Sequence, residues 1–172
     1  MRPRFLSAAL LLAALATPVA ARAQLSDSDL GERVATTIQR YAQFDIFDDV
    51  NIAVDNRAVR LTGRVTMPIK RDEIGKRVAK IDGVRSLVND IQVLPLSRFD
   101  DDLRIRVARA IYNHPAFWQY ATMASPPIHI VVENGHITLT GRVGSQVESS
   151  LAFAVAHVPG SFDVRNDLKI DR

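Results

Sequence analysis

The stretches "VNIAVDNRAVRLTGRV" (residues 50–65) and "IHIVVENGHITLTGRV" (residues 128–143) align without a gap and end on the same five residues. The likeness extends outward on both sides. Upstream, "DLGERVATTIQRYAQF" (29–44) answers "DLRIRVARAIYNHPAF" (102–117), and downstream "GVRSLVNDIQV" (83–93) answers "GSFDVRNDLKI" (160–170). Three blocks in the same order make the chain a tandem duplication of a unit of about 70 residues. The short stretch "LPLSR" (94–98) joins the copies.

The two copies read alike. Leu30, Val34 and Ile38, and then Leu103, Val107 and Ile111, recur at four-residue steps, as one face of an amphipathic helix does. Ser26 or Ser28, and Asp100 or Asp101, are the candidate N-caps, and the acidic run Asp100 to Asp102 complements a helix N-terminus. Val50, Ile52 and Val54 alternate with Asn51 and Ala53, and Ile128, Ile130 and Val132 alternate with His129 and Val131, which predicts half-buried strands. Asn134-Gly135 is a two-residue hairpin signal, because both turn positions need positive φ. Arg57 replaces that glycine in the first unit, so a strained or reshaped turn is expected there.

A second helix carries Ile74, Val78 and Ile81 in one unit and Val147, Leu151, Val155 and Val158 in the other, with Gly83 and Gly160 placed as C-caps. A last strand over 84–93 or 162–170 closes each unit. The order α-β-β-α-β predicts an α+β fold, with two helices covering one face of a small three-strand mixed sheet. The other sheet face is left to be wet, to meet the sister unit or to hold a partner. In "LTGRV", Leu61, Val65, Leu139 and Val143 should point inward and Thr62, Arg64, Thr140 and Arg142 outward, with Gly63 and Gly141 allowing close helix packing or marking a bulge.

Residues 1–23 have the order of a secretory leader: Arg2 and Arg4, an apolar run from Phe5 to Ala16 that is short for a membrane span, then small residues. Cleavage is expected after Ala23, with Ala21 as the other candidate. The expected organisation is a leader over 1–23, a first domain over 24–97 and a second over 98–172. The full chain has 22 Lys and Arg against 19 Asp and Glu; losing Arg2, Arg4 and Arg22 leaves 19 of each. A neutral mature chain does not support a nucleic-acid partner. With no cysteine, the fold has no disulfide, no zinc-thiolate site and no lipidated terminus.

The alternating strand, "DN" or "ENG", "V.LTGRV", a helix and then "GV..V.N.I.V" together resemble the BON domain, named for bacterial osmotic-shock and nodulation proteins. Both copies carry the pattern and cover nearly all of the mature chain. The resemblance implies a chain that is periplasmic or associated peripherally with the outer membrane, that is not an enzyme and that binds phospholipid surfaces or other envelope components. Two departures stand out: Arg57 at the turn, and extra residues within "WQYATMASPP" (118–127).

Enzyme signatures are missing. Of the four histidines, His129 and His136 share an outward sheet face with Glu133, but His129 lies four residues from Glu133, about 13 Å at ~3.3 Å per residue. One metal cannot bridge that gap, and a Glu133–His136 surface pair is expected instead. There is no Gly-rich phosphate loop and no nucleophile elbow, so no cofactor, metal or catalytic residue is expected.

Function is sought in what the copies do not share. Arg104, Arg106 and Arg109 precede the aromatic stretch bearing Trp118 and Tyr120, and Trp118 aligns with Asp45. Basic residues beside amphipathic rings suit an anionic bilayer surface, although Trp118 could equally fill a groove between the units. Phe44 and Phe117 align as core residues. A second basic patch is Lys70, Arg71, Lys76, Arg77 and Lys80, joined by Arg60 and Arg64, unless it is an ordinary solvated helix face. The expected partner is an anionic phospholipid surface. Envelope proteins bound at sheet faces or edges are the alternative, and an oligomer through free sheet faces the third.

Overall fold

Helix α1 (Asp27–Gln39) starts at Ser26, whose hydroxyl accepts from Asp29 N–H while the Asp29 carboxylate accepts from Ser26 N–H, a reciprocal capping box. The computed structural model describes residues 26–171, and the expected leader lies outside them. After α1 come β1 (Asp49–Asp55), β2 (Ala58–Val65), α2 (Pro68–Ala79), β3 (Ser86–Asn89) and β4 (Gln92–Val93). The second unit repeats the order with α3 (Arg98–Tyr112), β5 (Ile128–Glu133), β6 (His136–Val143), α5 (Gln146–Val155), β7 (Asp163–Asn166) and β8 (Lys169–Ile170). Its additions before β5 are a 3-10 turn, Pro115–Phe117, at the end of the aligned block, and the one-turn helix α4 (Trp118–Ala121), within the extra residues.

In each sheet the second strand is central. β2 runs antiparallel to β1 and parallel to β3 and β4, and β6 does the same with β5, β7 and β8. The single closing strand expected from sequence is broken in two in both units. Asn89 causes the break: its amide donates to Arg71 C=O on α2 while its Oδ1 accepts from Ile91 N–H, and Asn166 does the same with Ser149 C=O and Leu168 N–H. The side chain thus competes with the ladder for the backbone.

The cores are separate clusters. Leu30, Val34 and Ile38 of α1 pack on Leu61 and Val65, and Leu103, Val107 and Ile111 of α3 pack on Leu139 and Val143. On α5, Leu151 and Val155 pack half-buried against the core, as does Val158 beyond it, while Ser149 and Ala152 are its fully buried residues and Val147, expected inward, is exposed.

Asp100 is not a helix cap. Ser97 caps α3, and Asp100, fully buried, accepts instead from Asn134 and Gly135 N–H at the hairpin tip. Asp27 does the same for Asn56 and Arg57. The first turn keeps the shape of the second, with Asn56 at φ 48° and Arg57 at φ 63°, so its strain is carried by Arg57. Gly63 and Gly141, at φ 115° and 101°, face carbonyls of the neighbouring strand: a Cβ would lie 2.2 Å from Asp49 O and 1.9 Å from Pro127 O. The close approach that demands glycine is therefore strand to strand rather than helix to sheet. Helices α2 and α5 end before Gly83 and Gly160, which lie in the turns that follow, so neither is a C-cap.

The units touch through the loop between α1 and β1. Ile46 and Phe47 pack against the second core, Ile46 C=O accepts from Ile130 N–H at 2.7 Å, and Thr140 Oγ1 donates to Asp49 at 3.0 Å. Arg64 Nε lies 2.9 Å from Glu133 Oε2, though its N–H has no aligned acceptor. Phe44 is half-buried and meets the His129 ring at 5.5 Å between centroids.

Candidate functional site

The two aromatic residues proposed for a membrane surface part company. Tyr120 is 8% exposed, and its hydroxyl donates to Glu148 Oε2 at 2.7 Å and accepts from Gly144 N–H at 3.0 Å. Burial and the bond to Glu148 push its pKa up, so Tyr120 is a neutral strut and not a lipid contact. That strut ties α4 to the first turn of α5. Trp118, on the same short helix, is 69% exposed, so it does not fill the groove between the units. Val147, 76% exposed at the start of α5, and Met123, which follows α4, are exposed as well.

The three arginines of α3 do not form one face. Arg104 is 4% exposed, paired with Asp101, and donates to Val132 C=O at 2.7 Å, which removes it from any lipid surface. Arg106 is half-buried and donates to Pro159 C=O at 2.5 Å beyond α5. Only Arg109, in the last turn before the Trp118 segment, is exposed and carries no ion pair among the described residues. Arg104 lies two residues from Arg106 and five from Arg109, spacings that put it on the opposite side of the helix from both, and periodicity alone does not say which side faces the core.

The α2 patch loses its first member. Lys70 is 1% exposed and binds Asp45 at 2.8 Å and the buried Asp48 at 2.7 Å. Burial pushes its pKa down, but the hydrogen bonds and charges of the two aspartates outweigh this and hold it above its ordinary value. Arg71 pairs with Asp72, Lys76 with Glu73, Arg77 lies 4.8 Å over the Tyr41 ring, and Lys80 is exposed. Arg60 and Arg64 are paired with Asp90 and Glu133. Nearly every cation there has a local partner, as on a solvated helix face.

The expected Glu133–His136 pair is not made. The two are in register across the hairpin, but Glu133 meets Arg64 and His136 meets Asp163. Sequence offered no signal for either partner, since both come from other strands. Among the described residues no group of three or more His, Asp or Glu side chains is placed to hold a metal, and no helix is long and apolar enough to cross a membrane.

A cleft of about 860 Å³ opens between the units, with α1 and β1 on one side and the outward face of the second sheet on the other. Val50, Ile52 and Phe44 line the first wall and Arg142, Arg165 and Lys169 the second. The free sheet face left open by the sequence is thus turned, in the second unit, toward the first.

No curated protein matches the chain. Among solved structures, the C-terminal domain of CdsD, a structural protein of the type III secretion system of Chlamydia trachomatis, is 12% identical over 86% of this chain and 100% of that one, with a TM-score of 0.30. A second CdsD structure is 14% identical over 81% of this chain and 94% of that one, with a TM-score of 0.28. Residues 26–95 and 100–172 each match the BON domain. With both units matched in order, the chain belongs to the BON domain family and carries the domain twice in tandem.

Proposed function

We propose that this protein is a non-enzymatic component of the bacterial envelope, exported to the periplasm, that docks peripherally on anionic phospholipid through its second BON domain and helps maintain the envelope under osmotic stress. The observation that carries it is Trp118: the sole tryptophan of the chain stands exposed on a one-turn helix that the second unit adds and the first lacks. Met123, five residues on, is an exposed apolar side chain as well, and Arg109 supplies the nearest uncommitted charge in sequence. Docking is reversible: Arg109 meets a headgroup, contributing about 1 kcal/mol near an anionic surface, and the indole settles at headgroup depth.

Because the tryptophan is unique, its fluorescence reports insertion directly. Vesicles containing phosphatidylglycerol should shift its emission to the blue and pellet with the protein at low salt, and less so at high salt. Trp118→Phe should remove the signal but keep pelleting, whereas Trp118→Ala with Arg109→Glu should abolish pelleting. An unshifted emission with phosphatidylglycerol vesicles at low salt would overturn this assignment.

A further inference from the structure

β1 and β5 occupy the same position in their sheets, each an outer strand with one unpaired edge. In the first hairpin Asp55 and Ala58 close a two-residue turn, so they exchange both backbone bonds, and Ala53, Asn51 and Asp49 follow in alternation. Val54, Ile52 and Val50 therefore turn their N–H and C=O groups to the open edge. By the same count Val132, Ile130 and Ile128 face the open edge of β5.

The edge of β5 is sealed. Arg104 donates to Val132 C=O at 2.7 Å, Ile46 C=O accepts from Ile130 N–H at 2.7 Å, and the Tyr112 hydroxyl donates to Ile128 C=O at 2.5 Å. The edge of β1 has no such seal among the described residues. Aligning the helices puts Gly31 where Arg104 stands and Gln39 where Tyr112 stands, so the first unit lacks both side chains that close the second. An open row of backbone groups is a template for another strand.

That open edge fronts the inter-unit cleft. Val50 and Ile52 line it, and across it stand Arg142, Arg165 and Lys169. Arg142 and Arg165 pair only with exposed Asp171 and Asp167, bonds that cost little to exchange, and Lys169 has no ion pair among the described residues. We infer that the open edge of β1 receives an extended, acidic peptide segment of a partner protein, which adds a strand to the first sheet while its carboxylates meet Arg142, Arg165 and Lys169. Main-chain bonds give affinity and the cationic wall selects charge, as in other strand additions. This contact is independent of the membrane surface at Trp118.

The test uses a short synthetic peptide alternating valine and glutamate, titrated into the mature chain while amide exchange is followed. Binding should slow exchange at Val50 and Ile52 and leave Ile130 unchanged. A peptide N-methylated at alternate residues should not bind. Arg165→Glu with Lys169→Glu should weaken binding by about tenfold or more. Gly31→Arg, whose Cβ meets only the Val54 side chain at 3.7 Å, should weaken it by transplanting part of the β5 seal. Trp118→Ala should leave peptide binding intact, which separates this contact from lipid docking. Absence of binding, equal binding of the N-methylated peptide, or unchanged exchange at Val50 and Ile52 would overturn the proposal.

Discussion

Asp100 Oδ1 accepts a hydrogen bond from Gly135 N–H at 2.8 Å, tying the first turn of α3 to a hairpin tip 35 residues later. Asp27 makes the equivalent bond to Arg57 N–H at 2.9 Å. The paired carboxylate satisfies the two tip amides and holds a turn whose residues both have positive φ. Asp100→Ala should cost about 3 kcal/mol, since a buried amide loses a charged acceptor, and Asp27→Ala about 1 kcal/mol, because its tip is more exposed. Denaturant midpoints of the two variants measure the difference.

The turn itself gives an opposite expectation. Arg57→Gly should raise stability by about 0.5 kcal/mol, the left-handed strain relieved less the added freedom of the unfolded chain. Gly63→Ala and Gly141→Ala should each lose more than about 3 kcal/mol, because the new methyl collides with a carbonyl and the positive φ is strained as well. Thermal unfolding separates these cases.

Lys70 and Asp48 form a buried pair, and removing the cation strands the acid. Lys70→Met should cost about 3 kcal/mol, moderated by the bonds Asp48 still accepts from Thr66 and Asp45 N–H. A cation whose pKa rises on folding gives its full stabilisation below the unfolded value and loses it as pH climbs through the folded one. The contribution should therefore be flat through neutral pH and fall only above the ordinary lysine value of 10.5. Unfolding free energies of wild type and Lys70→Met should converge in that alkaline window.

Ile46 and Phe47 belong to the first unit in sequence and pack against the second core. The mature chain should unfold in one calorimetric transition. Ile46→Ala with Phe47→Ala should lower the midpoint by about 2 kcal/mol of stability or more and split the transition, since the units then share fewer apolar contacts.

The core was legible because periodicity is local. Leu30, Val34 and Ile38, their counterparts in α3, and the inward residues of "LTGRV" are all buried as their spacing predicts. The candidate site was only half legible. Trp118 and Arg109 are exposed, but Tyr120, Arg104 and Lys70 are buried by partners at Glu148, Val132 and Asp48 that lie 22 to 28 residues away. A long polar side chain buries its charge wherever a distant acceptor waits, and one-dimensional spacing carries no record of that acceptor.

Sequence by itself determined the duplication, the α-β-β-α-β order and the hairpins, because helix and strand periods and turn residues act over a few neighbours. Only the tertiary structure decided which charges are free, how Asp100 and Asp27 serve the turns, and which outer strand is sealed. Those outcomes depend on where a carbonyl or carboxylate from another element comes to rest, and two units with nearly the same pattern resolve them differently at Arg104 and Gly31.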